Sequence, residues 1–215
     1  MLKLLITSGG TREPIDEVRF VSNVSTGSTG AALANALLAL GHEVTLLRGQ
    51  ASVPAAAGCH SELFGSAEDL RQRLQARLAT QRYDAVIMCA AVADYRPESF
   101  VAGKIRSDAD ELLLRLVRTP KILPSIKSFA TPAPVVIGFK LTVGADQAAR
   151  AAAVNAQFAA GGVDAVVQND LHEIRKAPVH PFHFYSAPGQ VTPIGGTTAL
   201  AALLARFIAE RGSPG

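Results

Sequence analysis

The chain has no tryptophan, and aromatic residues make up only 6% of it. Basic side chains interleaved with aromatics, a usual means of gripping nucleic acid, are therefore missing. The net charge is only +3 and is scattered, which suits small anionic ligands better than a polynucleotide. Cysteine is scarce as well: Cys59 and Cys89 alone, consistent with a reducing compartment. Cys89 ends an apolar run and reads as a core residue, not a nucleophile. No apolar run approaches the roughly 20 residues of a membrane span. The opening M-L-K-L-L-I-T-S breaks at Gly9, too soon for a signal peptide. These absences lead us to expect a cytoplasmic protein that binds neither membrane nor nucleic acid.

Two common nucleotide-binding signatures are also missing. There is no G-x-G-x-x-G after the first apolar run, and no G-K-[ST], since Ser28 follows Gly27. The second apolar run ends in Leu46, Leu47, Arg48 and Gly49, with no acidic residue for a ribose. Arg48 would suit a 2′-phosphate, so an NADP-dependent reductase stands as an alternative. None of Tyr83, Tyr95 and Tyr185 has a lysine four residues later, which leaves a Tyr/Lys hydride site unsupported.

What is present is a core. Of 215 residues 48% are hydrophobic, enough for one domain over residues 1–215. Apolar runs at 2–7, 42–47, 84–89, 134–139 and 164–167 read as buried strands. Helical patterns lie at 31–40, 67–79 and 145–160, and a last helix runs from about Thr197 to Glu210, capped by Thr197 or Thr198. Such alternation predicts an α/β fold, a mostly parallel, doubly wound sheet with helices on both faces. Residues 104–107 and 112–117 flank the acidic turn D-A-D-E and read as a flap hairpin. Residues 180–185 and 190–193 flank A-P-G and read as a late hairpin. The tail, residues 212–215, is expected to fray.

Ligands of open parallel sheets sit beyond the carboxyl ends of the strands, so the segments after Thr7, Cys89 and Phe139 should meet in one cleft. The first is a long glycine-rich loop, residues 9–30. Glycines admit a phosphate close to the backbone and the helix start favours anions. Ser25 and Thr26 add hydroxyls, and Arg19 a charge-assisted contact. In the second, A-A-V-A-D-Y-R-P, the small Ala90 and Ala91 leave room for a ligand and Asp94 offers a carboxylate. Lys104, in A-G-K-I-R-S, is a mobile positive charge suited to a leaving pyrophosphate. In R-T-P-K-I-L, Pro120 fits a first helical turn. In G-F-K-L-T-V, Phe139 is placed to stack on a base with Lys140 beside phosphate. His180 and His183, three apart on a strand, point to opposite faces and make a poor metal pair.

Taken in order, I-T-S-G-G-T-R-E-P-I-D-x-V-R-F-x-S-N-x-S-x-G, A-A-V-A-D-Y-R-P, K-I, T-P-K-I and N-D-L resemble phosphopantothenoylcysteine synthetase. This is the cysteine-ligating enzyme of coenzyme A biosynthesis, here similar to its free-standing bacterial form. The resemblance implies a Rossmann-like fold, a homodimer, and the substrates 4′-phosphopantothenate and L-cysteine. It implies activation by CTP, or ATP, accompanied by Mg²⁺ with no protein metal site. By position it makes Asn23 and Lys104 catalytic. Asn23, Ser25, Thr26, Gly27, Ala90, Ala91 and Arg19 would hold the phosphopantothenate. Gly9, Gly10, Asp94, Lys104, Pro120, Lys121, Ile122, Leu123, Phe139 and Lys140 would hold the nucleotide. The chain departs from that pattern at Ser28, Gln157 and Gly161, where the family carries basic residues. Lys140 and Arg150 are candidates to compensate, and a non-catalytic nucleotide-binding relative is a further alternative.

Overall fold

A computed structural model describes residues 1–212; residues 213–215 of the tail expected to fray lie outside the described residues. The strands are β1 (Lys3–Ser8), β2 (Arg12–Pro14), β3 (Phe20–Ser22), β4 (Glu43–Gly49), β5 (His60–Phe64), β6 (Ala85–Met88), β7 (Tyr95–Pro97), β8 (Leu116–Arg118), β9 (Val135–Thr142), β10 (Ala165–Asp170), β11 (Pro181–Ala187) and β12 (Gln190–Gly195). The helices are α1 (Ser28–Ala39), α2 (Ala67–Thr80), α3 (Gln147–Ala159), α4 (Leu171–Lys176) and α5 (Thr197–Gly212), with a 3-10 helix at Leu123–Phe129.

Eight strands form one sheet in the order β12-β11-β10-β9-β6-β1-β4-β5. The six from β10 to β5 are parallel, and β11 and β12 add an antiparallel edge. The strand order reverses between β1 and β6, so the chain leaving β1 and the chain leaving β6 diverge there and open a crevice. This is the expected doubly wound, Rossmann-like arrangement.

Strand alternation builds the two faces. Leu4, Ile6, Leu46 and Ile87 meet Leu33 and Leu37 of α1 and Leu200 and Leu204 of α5. Leu5, Leu47 and Val86, one residue out of step, meet Leu70, Leu74 and Leu78 of α2 and Ile126 of the 3-10 helix. Val166 meets Val154 of α3 on that same side of β10, opposite Ala165 and Val167. Full burial of one leucine is worth roughly 1.5–3 kcal/mol, so both faces are strongly specified.

Three expectations are corrected. Residues 104–107 and 112–117 do not pair as a hairpin. β8 pairs instead with β7, with register Tyr95↔Arg118. The amides of Val101 and Ile105 are taken up by Ile15 and Asp16, while Leu112 and Leu113 stay exposed. Pro120 does not open a helix. It is exposed, and Pro124 occupies the first turn of the 3-10 helix. α1 begins at Ser28, three residues before the apolar pattern that marks it.

Candidate active site

The segments after β1 and β6, the last residues of β9 and the start of the 3-10 helix converge on a cleft of about 1020 Å³. One wall is residues 22–30, another residues 88–94; the rest comes from residues 119–124 and 139–141, from α3 with Ala160 and Gly161 after it, from Asn169 and α4, and from His180. Of the expected site residues, Asn23, Ser25, Thr26, Gly27, Ala90, Ala91, Asp94, Pro120, Lys121, Ile122, Leu123, Phe139 and Lys140 all line it. α1 enters with its N-terminus at this wall. Gly27, at φ 73°, supplies no side-chain cap; the Ser28 amide donates to the Thr26 hydroxyl at 3.3 Å, and the amides of Thr29 and Gly30 are available to an anion.

Four expected residues stand back from the cleft lining. Gly9 and Gly10 are used in building: the Gly9 carbonyl accepts from the Ala91 amide at 2.8 Å and the Thr11 amide donates to the Ala91 carbonyl at 3.2 Å. Gly9 has φ +79°, and a Cβ there would lie 2.6 Å from Cβ of Ser52. Arg19 is committed elsewhere, its guanidinium donating to the Asp16 carboxylate at 2.7 Å and the Ile105 carbonyl at 3.1 Å. Asp16 is buried. Burial alone would raise its pKa, but the amides of Ile105, Val18 and Arg19, with the Arg19 charge, outweigh this and hold it below the usual carboxylate value. Lys104 sits between Gly103 and Ile105, both tied by backbone hydrogen bonds to residues 16–19. Its side chain is exposed and makes no hydrogen bond or ion pair among the described residues.

The lip of the cleft carries an ion pair between Lys121 and Asp94, both exposed. Asp94 is the one carboxylate on the lining. Among the described residues no group of three or more His, Cys, Asp or Glu side chains is arranged to hold a metal. Cys89 lines the cleft, but burial pushes its thiol up to about 12, which leaves it without thiolate at neutral pH. Gln157 and Gly161, where the family carries basic residues, both lie on the lining. Arg150 offers no replacement: it pairs with Glu173 at 2.6 Å and donates to the Ala145 carbonyl. Arg48, which would favour a 2′-phosphate, is likewise spent on the Ser52 carbonyl and the Ser61 hydroxyl.

The residues missed in the sequence are hydroxyls. Thr7 accepts from the Ala90 amide at 3.1 Å, and buried Thr11 accepts from the Ala93 amide at 3.0 Å. Thr119 donates to the Ala93 carbonyl at 2.5 Å, and its amide donates to the Asp94 carbonyl at 3.0 Å. Asn23 donates to the Val92 carbonyl at 3.3 Å. Residues 90–94 thus owe their shape to side chains reaching in from three other segments.

Residues 1–183 match the family described as DNA/pantothenate metabolism flavoprotein C-terminal domain. The coenzyme A biosynthesis bifunctional protein CoaBC of Thermococcus kodakarensis is 35% identical over 169 residues, 79% of this chain and 41% of that protein. Its counterpart in Vibrio parahaemolyticus is 38% identical over 138 residues, 63% of this chain and 34% of that protein. The chain therefore spans well under half the length of these curated relatives. Among solved structures, a DNA/pantothenate metabolism flavoprotein from Streptococcus pneumoniae superposes with TM-score 0.86 at 28% identity, covering 98% of this chain and 100% of that one. The C-terminal domain of a CoaBC protein gives 0.77 at 26%, covering 98% and 95%.

Proposed function

Because the chain belongs to the family of DNA/pantothenate metabolism flavoprotein C-terminal domains, we propose that it is a phosphopantothenate–cysteine ligase of coenzyme A biosynthesis. The observation that carries the reading is the convergence of the 22–30, 88–94, 119–124 and 139–141 segments on one cleft. That cleft is large enough for two substrates side by side. In the proposed reaction the carboxylate of 4′-phosphopantothenate attacks the α-phosphate of CTP, or of ATP. Pyrophosphate leaves and an acyl-nucleotidylate remains. The cysteine amine then displaces the nucleoside monophosphate and forms the amide.

In this reading the α1 N-terminus and the hydroxyls of Ser25 and Thr26 receive phosphate. Asn23, already steered by the Val92 carbonyl, faces the carboxylate and the intermediate. Ala90 and Ala91 leave space for the pantothenate arm. Phe139 stacks on the base, and Lys121 and Lys140 supply positive charge to the triphosphate. Nucleotide entry replaces the Lys121–Asp94 pair, at little cost for an exposed ion pair. Lys104 is the charge brought to the leaving pyrophosphate. Mg²⁺ belongs to the triphosphate in this scheme, since the cleft lining offers it only Asp94. A homodimer in the cytoplasm is part of the same proposal.

The test is release of pyrophosphate from CTP or ATP by the purified chain. Release is expected only with both 4′-phosphopantothenate and cysteine for full turnover. Release unaffected by omitting phosphopantothenate would reject the ligase. Tight nucleotide binding without turnover would favour a non-catalytic relative.

A further inference from the structure

β10 ends at the cleft in the sequence Gln168-Asn169-Asp170. Asp170 turns away from the ligand space. It is fully buried and accepts hydrogen bonds from Thr142, Gly144, Ala145 and His172. Asn169 instead lies on the cleft lining, and is only 8% exposed. Its strand register sets it beside Leu141, with Val167 beside Phe139. It therefore stands two residues further along the sheet edge from the expected base-stacking ring.

The Asn169 side chain has a partner with no role so far. Its Nδ2 lies 2.9 Å from Nε2 of His180. His180 also lines the cleft, and it is held firmly. Its carbonyl accepts from the Gly196 amide at 2.9 Å, and its ring stacks on Phe182, with centroids 4.1 Å apart and planes 12° from parallel. A ring stacked on a buried phenylalanine, carried by a hydrogen-bonded backbone, has little freedom to turn, so it can set the orientation of an amide that bonds to it. Burial pushes the pKa of His180 below its ordinary value, so the ring is neutral at pH 7 and has one nitrogen lone pair to offer. With Nε2 accepting from Nδ2, the Asn169 carbonyl oxygen is the end of the amide that His180 leaves free for a ligand.

We infer that His180 is a positioning residue: it fixes the Asn169 carboxamide so that its oxygen accepts a hydrogen bond from a hydroxyl or amino group of the bound nucleoside. The inference rests on the nucleotide-dependent reading above, and adds a residue that fixes affinity for the nucleotide without touching the reacting atoms.

Two substitutions separate this role from simple packing. His180→Phe keeps the stack on Phe182 and removes the acceptor. His180→Gln places a carbonyl oxygen at the reach of Nε2 and gives up the stack. The Kd for CTP, and for ATP in parallel, is measured by calorimetry on the purified chain without other substrates. KM and kcat are then measured in the pyrophosphate assay. His180→Phe is expected to weaken nucleotide binding about 3- to 10-fold, the range of one hydrogen bond. KM for the nucleotide should rise in step, with kcat within about threefold and KM for phosphopantothenate unchanged. His180→Gln, which returns the acceptor without the stack, should recover part of that loss and bind nucleotide more tightly than His180→Phe. Wild-type affinity in His180→Phe, or equal impairment of both variants, would overturn the proposal. If the wild-type chain binds nucleotide but ligates nothing, the ligase reading fails and the Kd series still decides the role of His180. If it binds neither nucleotide at millimolar concentration, both fall.

Discussion

Thr11→Val tests whether the 90–94 loop is held by buried hydroxyls. Valine matches threonine in shape, so the change removes little but the oxygen that accepts from the Ala93 amide at 3.0 Å. Both Thr11 and Ala93 are buried, so water cannot replace the lost acceptor. Leaving a buried amide unpaired costs about 1–3 kcal/mol. For a chain of this size each kcal/mol moves Tm by roughly 2–4 °C. The expected fall is therefore about 2–12 °C, read by thermal denaturation.

The catalytic effect should be larger than the loss of stability alone would give. Ala93 lies between the Ala90–Ala91 wall and Asp94, and its carbonyl is gripped from the other side by Thr119. With one of two grips gone, the wall shifts relative to both proposed substrates. Misplacements of about 1 Å can cost as much as 100-fold. We expect kcat/KM for ligation to fall about 10- to 100-fold at a temperature where the variant is fully folded. Thr11→Ser, which keeps the oxygen, should retain most of the activity. A Thr11→Val protein with Tm within about 1 °C and kcat/KM within about twofold of wild type would show that this bond does not hold the loop.

Three further outcomes are expected. Lys104→Ala should lower kcat by about 100-fold or more with Tm unchanged, because the side chain is exposed and unpaired among the described residues; near-normal turnover would remove Lys104 from the mechanism. Gly30→Ala should destabilise, because the new Cβ would lie 2.4 Å from Cβ of Ser8 and 3.3 Å from its Cα. Overpacking of about 1–3 kcal/mol then outweighs a helix-propensity gain of about 1 kcal/mol, and an unchanged or higher Tm would contradict this. For Asp170, burial alone would raise the pKa, but the hydrogen bonds from Thr142, Ala145, Gly144 and His172 win and depress it strongly. A depressed folded-state pKa adds stability above the unfolded value of about 4, and that stability is lost as pH falls below it. The urea midpoint should therefore drop below about pH 4 in the wild type and drop less steeply in Asp170→Asn; parallel pH profiles would assign the acid sensitivity to other groups.

What could be read from the sequence was whatever depends on near neighbours in the chain. The buried parallel strands are continuous apolar runs, and the spacing of Leu70, Leu74 and Leu78 marks α2 almost to its ends. β5 escaped because it lies at the sheet edge: of its five residues only Phe64 is fully covered, so no apolar pattern exists to find. The supposed flap erred in the opposite direction. Leu112, Leu113 and Leu114 look like strand residues, yet all three are exposed, and in the other expected arm the Ile105 amide is claimed by Asp16. Site residues divide the same way. Ala90 and Ala91 follow the end of β6 and Phe139 lies in the second half of β9, where position along the sheet puts them at the crevice. Arg19 has the same charge wherever it points, and only the fold reveals that Asp16 and Ile105 take it. Thr7, Thr11 and Thr119 stand inside the motifs quoted above, yet nothing local shows what they do, because their partners lie 83, 82 and 26 residues away. These long-range hydroxyls are what turn strand ends into a shaped wall. A motif can therefore be present in order and in full while the work of its members is set by partners far along the chain, and Thr11→Val is the substitution that measures this for one of them.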